Sequence, residues 1–479
     1  MTGAVAAAYA ARLPTALWYS TKRTAHGETF SHRSVRLGND TREIDDAGPF
    51  HTEHGRSDGQ AWHENDNGQV VLDSTLRGPL IRFPKFAKAT ATRIHDPIDG
   101  YRVESVDSTG TVREYVQTAT WNVVRRERVA SNGTVTVVYD GLIPGRDATE
   151  GPSNANASVR SLAHVPGATP YEPASIGESD VAMPAPRRAL VEFPQGEHRV
   201  VLPTSFLGRT VMVRVMIAGR GLDFTLDTGT SGIMLDSTVA RELGLTSHLP
   251  GVTFSAGAVP TAKAIVPEMH VGSLAMHDVA VLLVPLEWRE GPGVKSVGLL
   301  GFDFLAELGV KIDYEHKRVT VQPGNEYTPP FDPAAIPLDV RVSGGVPSIT
   351  AAVNGAVGNR WVVDTGNPGA FMILDSFAQL HPDAIRDEGK GRAQPVEFLG
   401  VGGVFQTRAY QIQSLRMGKL DLRNAIGFRV TAPGSFPGTD GFIGAAFLSL
   451  FTVDLDYGNS RVYLTPNSAG RASIEPTRP

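Results

Sequence analysis

Two copies of one tripeptide, Asp227-Thr228-Gly229 and Asp364-Thr365-Gly366, are the residues of this chain best equipped for chemistry. Splitting a bond with water, without a metal or a Ser or Cys nucleophile, needs a base to deprotonate the water and an acid for the leaving group. Two facing carboxylates supply both, because in one shared site they cannot ionise together and one keeps its proton. Such a pair titrates as a unit. Each Asp must project from a tight loop, and a Gly two residues later permits close backbone approach and unusual φ. The intervening Thr hydroxyls can brace the loops with hydrogen bonds. One Asp-Thr-Gly alone is an ordinary turn sequence. Two at matched places are a stronger signal.

The places match because the second half of the chain repeats itself. Phe224-Thr225-Leu226-Asp227 recurs as Trp361-Val362-Val363-Asp364, and Gly298-Leu299-Leu300-Gly301 recurs as Gly441-Phe442-Ile443-Gly444. Downstream the offset is constant from Gly301/Gly444 to Pro323/Pro466, through Asp313-Tyr314 and Asp456-Tyr457. Two homologous lobes follow, 195–325 and 332–468, and Pro329, Pro330 and Pro333 mark the crossing between them. In each, a strand enters Asp-Thr-Gly and a short helix follows, starting near Leu235-Asp236-Ser237 or Leu374-Asp375-Ser376, where Asp or Ser can cap the first turn.

With these motifs in view, residues 195–468 resemble the pepsin and retropepsin clan of aspartic peptidases, in bacterial form. The resemblance implies a mainly β fold of two acid-protease β-barrel lobes, each giving one catalytic Asp, here Asp227 and Asp364. It implies that Leu299-Leu300-Gly301 and Phe442-Ile443-Gly444 cross beneath the Asp loops, and that Thr230 and Asn367 orient the carboxylates. Asn367 departs from the Ser or Thr usual there, which leaves a catalytically silent peptide- or lipid-binding protein as the alternative. The clan's mobile Gly-rich hairpins have counterparts at Gly400-Val401-Gly402-Gly403 and, more weakly, Ser255-Ala256-Gly257, without the Tyr that pepsins carry. The expected partner is a peptide or unfolded protein, the expected site is complete in a monomer, and no cofactor or metal is implied.

Upstream, residues 1–140 alternate β-type runs with turns at Asp58-Gly59, Asn67-Gly68, Thr109-Gly110 and Asn132-Gly133, the pattern of an antiparallel sheet domain. The clearest hairpin joins Trp121–Val129 to Thr134–Tyr139. Met1–Ser20 reads as a frayed helix, and the Pro/Gly/Ala-rich stretch 141–194 as a linker. Ser57-Asp58-Gly59 before Trp62, with Trp121 to Arg126, faintly resembles periplasmic lipoprotein-sorting and lipid-carrier folds, in which a curved sheet wraps an apolar groove. An apolar ligand in this domain is one implication, a plain accessory sheet the other. His51, His54 and His63 lie close in sequence, but their Gly- and Asp-rich setting suits exposed hairpin residues better than metal ligands.

At 479 residues, 41% hydrophobic and 20% charged, the composition is that of a globular chain of roughly three domains. The net charge of −5 shows no long run of one sign, so no nucleic-acid partner is expected. No stretch is apolar enough for a membrane span. Zero cysteines exclude thiol nucleophiles and disulfides. The two resemblances make a periplasmic or secreted location the expectation, with the cytoplasm as alternative because no signal peptide is evident.

Overall fold

A computed structural model of the chain describes residues 16–72, 90–138, 178–286, 296–385 and 396–474, apart from short stretches within them. The protein is mainly β and divides into two compact units, residues 1–65 with 76–185, and residues 66–75 with 186–479.

In the first unit, β1 (Ala16–Ala25), β2 (Glu28–Leu37), β3 (Asp40–Ala47), β4 (Phe50–Ser57) and β5 (Gln60–Glu64) pair in sequence order as an antiparallel meander. Ala16–Ser20, read from sequence as part of a frayed helix, begins β1 instead; pairing along all ten residues with β2 overrides the weak alanine preference for helix. Residues 66–75, with the short strand β6 (Val70–Leu72), belong to the second unit. A second meander follows: β7 (Thr90–Ile94), β8 (Gly100–Asp107), β9 (Gly110–Gln117), β10 (Val123–Ala130) and β11 (Gly133–Val138). The antiparallel sheet expected over 1–140 is therefore two meanders, and the β10–β11 hairpin falls where the β-branched run placed it. Asp58 (φ 51°) and Gly59 (φ 78°) make the tight turn between β4 and β5. Trp62 is fully buried. The linker ends in a short helix, α1 (Glu178–Val181).

The second unit holds both lobes. In the first lobe, β12 (Val200–Val201), β13 (Thr204–Leu207), β14 (Thr210–Ile217), β15 (Arg220–Leu226) and β16 (Ile233–Asp236) lead to α2 (Ser237–Glu242). Then come β17 (His248–Phe254), β18 (Ala258–Val271), β19 (Leu274–Val284), β20 (Gly298–Leu300), α3 (Phe302–Leu305), β21 (Leu308–Asp313) and β22 (Arg318–Pro323). The second lobe repeats this order with β23 (Ile336–Ser343), β24 (Val346–Val353), β25 (Ala356–Asp364), β26 (Phe371–Ile373), α4 (Asp375–Leu380), β27 (Val396–Gly400), β28 (Gly403–Met417), β29 (Leu420–Val430), β30 (Gly441–Gly444), α5 (Ala445–Leu448), β31 (Phe451–Asp456), β32 (Arg461–Pro466) and a terminal α6 (Ser468–Ile474).

The lobes meet strand to strand. β21 pairs antiparallel with β31, and Lys311 stands opposite Asp454, its own counterpart in the repeat. A local two-fold axis therefore passes through that pair. One apolar core runs through both lobes, from Val211, Val213 and Val215 on β14 to Trp361 and Val363 on β25 and Val453 and Leu455 on β31. Burying each such side chain contributes about 1.5–3 kcal/mol.

Two boundaries shift. Residues 186–194, read as linker, pack on the first lobe: Leu190 is buried, its N–H donates to Glu307, and Glu192 bridges to Ala275. Asn67-Gly68, read as a hairpin turn, is buried in the same lobe. The Asn67 amide donates to Ala280 O and Asp303 Oδ2 (3.1 and 2.8 Å) and accepts from Ala280 N–H (2.9 Å).

Candidate active site

Each aspartate leaves the end of a buried strand. β15 runs parallel to β20, pairing Leu226 with Leu300, and β25 runs parallel to β30, pairing Asp364 with Gly444. The crossing segments expected beneath the two loops are therefore present. The Asp227 N–H donates to Leu300 O (3.0 Å), and Gly444 N–H and Ala445 N–H donate to Ala370 O and Asn367 O (both 2.7 Å).

The two threonines lock the loops to each other. Thr228 Oγ1 donates to Val363 O, the carbonyl just before Asp364, at 2.5 Å, and accepts from Thr365 N–H at 3.0 Å. Thr365 Oγ1 donates to Leu226 O, just before Asp227, at 2.6 Å, and accepts from Thr228 N–H at 3.1 Å. Both side chains are wholly buried. Four reciprocal bonds thus fix one loop against the other, a brace between lobes rather than within each loop.

The Asp227 carboxyl packs against Gly366 and the Asp364 carboxyl against Gly229, each on the other's loop. Asp227 Oδ1 accepts from Gly229 N–H (2.8 Å); Asp364 Oδ1 accepts from Gly366 and Asn367 N–H (both 3.0 Å). The glycines serve close approach and not unusual φ, since neither has a positive φ. A Cβ on Gly229 would lie 2.6 Å from the Asp364 carboxyl carbon, and one on Gly366 would lie 2.4 Å from that of Asp227. Burial pushes Asp364 well above the ordinary carboxyl range, and the Asp227 charge pushes it further. Burial also raises Asp227, against the pull of the Gly229 N–H. Asp227 keeps part of its surface open while densely surrounded. Two carboxyls with raised pKa values on facing loops can share one proton, which would set a base beside an acid.

The side chains expected to orient the carboxylates do not reach them. Asn367 acts through its backbone N–H, while its amide is spent locally, accepting from Gly369 N–H (2.8 Å) and pointing its nitrogen at Met372 Sδ (3.1 Å). Pro368 stiffens this turn, and the amide closes it as a local Asx-type bond. Thr230 Oγ1 is buried without a partner. The structure also brings in residues that local motifs do not mark. Asp303 Oδ2 lies 3.5 Å from where a Cβ on Gly232 would sit and is held by Asn67, some 236 positions away in sequence. Only a long-range packing signal could have found that contact.

Of the two hairpins, Ser255, Ala256 and Gly257 lie outside the described residues; β17 and β18 close on Phe254 opposite Ala258. β27 and β28 close on Gly400 opposite Gly403 around Val401-Gly402, with Gly402 and Gly403 at φ 89° and 137°. Val401 packs on Val259, Val284 and Leu286 of the first lobe. A cavity of about 250 Å³ lined by Phe206, Tyr314, Lys317 and Ser468 includes neither aspartate.

Residues 213–304 match the family model described as aspartyl protease. No curated protein matches the chain. Among solved structures, basic 7S globulin from soybean aligns with 58% of this chain and 97% of its own, at 11% identity and a TM-score of 0.33. The segment from β14 through α3, which contains the Asp227 loop and its crossing strand, is thus an aspartyl-protease-like domain.

Proposed function

We propose that the chain is an aspartic endopeptidase that hydrolyses peptide bonds with water activated between Asp227 and Asp364. The observation that carries this reading is the packing of each aspartate carboxyl against the other loop's glycine, with the two loops braced by reciprocal Thr228–Thr365 bonds. The ionised member takes a proton from water and the protonated member gives one to the leaving nitrogen. β17 and β27 are the outer strands beside the two hairpins. Among the described residues no strand pairs with their outer edges, which suit an extended peptide bound as an added strand.

A second reading, a silent binding protein of the same fold, is favoured by one observation: neither the Asn367 amide nor the Thr230 hydroxyl touches a carboxylate. Cleavage of unfolded casein across pH 3 to 8 separates the two. Wild type is expected to cut and to be blocked by pepstatin, with Asp227→Asn and Asp364→Asn each losing at least about 10³-fold in rate while folded. Activity surviving both substitutions refutes the site, and casein binding without cleavage by any variant supports the silent protein.

A further inference from the structure

The first unit carries a second cluster of chemistry-bearing residues on one face of β3, β4 and β5. Successive side chains on a strand point to opposite faces. His51 and Glu53 therefore share one face of β4, and His54 takes the other. Across the ladder Glu53 is directly opposite Glu64, and His54 directly opposite His63. The three histidines that are neighbours in sequence are divided by the pleat: His51 sits with two glutamates, and His54 and His63 sit together on the reverse side.

Glu53 and Glu64 are 5% and 2% exposed. Two carboxylates directly opposed across a ladder repel, and burial makes the repulsion costlier. A cation among them lowers that cost. Arg42 serves Glu53 through both oxygens, with Nε 2.7 Å from Oε2 and Nη2 3.1 Å from Oε1. On another side stands the His51 ring, with Nε2 3.0 Å from Glu53 Oε1. The far nitrogen, Nδ1, is 2.6 Å from Asp46 Oδ1, the residue directly opposite on β3. A carboxylate on one imidazole nitrogen fixes the ring and raises the basicity of the other, the arrangement commonly found behind metal-bound histidines.

One ligand atom each from His51, Glu53 and Glu64 lie within 4.8 Å of one another. A small side-chain adjustment brings three such atoms to the roughly 2.0–2.2 Å that zinc takes from imidazole and carboxylate donors. His51 is partly exposed, which leaves an approach from solvent.

We propose that His51, Glu53 and Glu64 form a binding site for a divalent transition-metal ion of the zinc type, with Asp46 as the positioning group behind His51. The ion would sit where His51 Nε2 faces Glu53 Oε1. The site is independent of the aspartate pair.

Calorimetric titration of untagged, EDTA-stripped and dialysed full-length protein with zinc chloride tests this. One equivalent is expected to bind, and it should persist in Asp364→Asn. His51→Ala and Glu64→Gln should weaken it at least about tenfold, and Asp46→Asn about 10- to 100-fold. His54→Ala and His63→Ala, on the opposite face, should leave it unchanged. Melting curves give a second readout: added zinc should raise the melting temperature of wild type, His54→Ala and His63→Ala, and raise that of His51→Ala less. Absence of a one-equivalent site in wild type, undiminished binding in His51→Ala, or equal loss in His54→Ala overturns the proposal.

Discussion

Burial sets the proton count of the aspartate pair, and that has a thermodynamic consequence at Asp364. A carboxyl whose pKa in the folded protein lies above its ordinary value of 3.8 favours folding only while protonated in both states. Its contribution is fully present below 3.8 and is lost as pH rises through the raised folded value. At neutral pH the pair therefore costs stability that a neutral amide does not. Asp364→Asn is expected to melt above wild type at pH 7, by on the order of 2 °C or more, with the gain vanishing near pH 3. Melting curves against pH check this, and a gain that grows toward acid would reverse the sign. At this scale the motif itself was legible: Asp227, Thr228, Gly229 and their partners stand where the repeat put them. The side chains of Thr230 and Asn367 were not, because rotamer choice follows neighbours such as Gly369 and Met372 that spacing does not specify.

The two short helices after the aspartate loops begin at equivalent places but are capped differently. Asp236 Oδ1 accepts from Thr238 and Val239 N–H (3.0 and 3.1 Å), while its Oδ2 accepts from Leu286 N–H (2.8 Å). In the second lobe the cap position falls on Leu374, with no side-chain bond, and Asp375 lies one residue inside the helix. Asp236→Ala thus strips a cap and orphans a buried N–H at Leu286, for a loss of about 2–4 kcal/mol. Asp375→Ala removes an exposed partner, Gln379, and a part-buried one, Arg429, and should cost less than Asp236→Ala. Denaturant midpoints at unchanged slope measure both, and equal losses would count against the cap assignment. The strand-loop-helix order was readable in both copies. Which copy uses its Asp as the cap was not, since one residue of register decides it.

The boundary of the larger unit reaches beyond the repeat. Gln69 Nε2 donates to Asp303 O and Glu307 Oε1 (2.8 and 2.9 Å), Arg188 donates to His277 O and Asp278 O, and Leu190 is buried. A fragment of residues 195–479 leaves Asp303, Glu307 and the Ala280 peptide without these partners. It is expected to be markedly less stable than the full chain. Asn67→Ala in the full chain should cost about 2–4 kcal/mol by itself, because three buried bonds go with one side chain. Chemical denaturation of both proteins tests this, and a fragment as stable as the whole would show that residues 66–75 and 186–194 only decorate the lobe.

The sequence by itself determined the repeat, the two aspartates, the strands that carry them and the crossing segments, because these rest on local signals: alternation, turn residues and a constant spacing between copies. Only the tertiary structure decided that the threonine brace runs between lobes, that β21 meets β31 at Lys311 and Asp454, and that His51 parts from His54 and His63. Those outcomes depend on which faces are buried against which partners, and hydrogen bonds between residues more than a hundred positions apart leave no mark in local pattern.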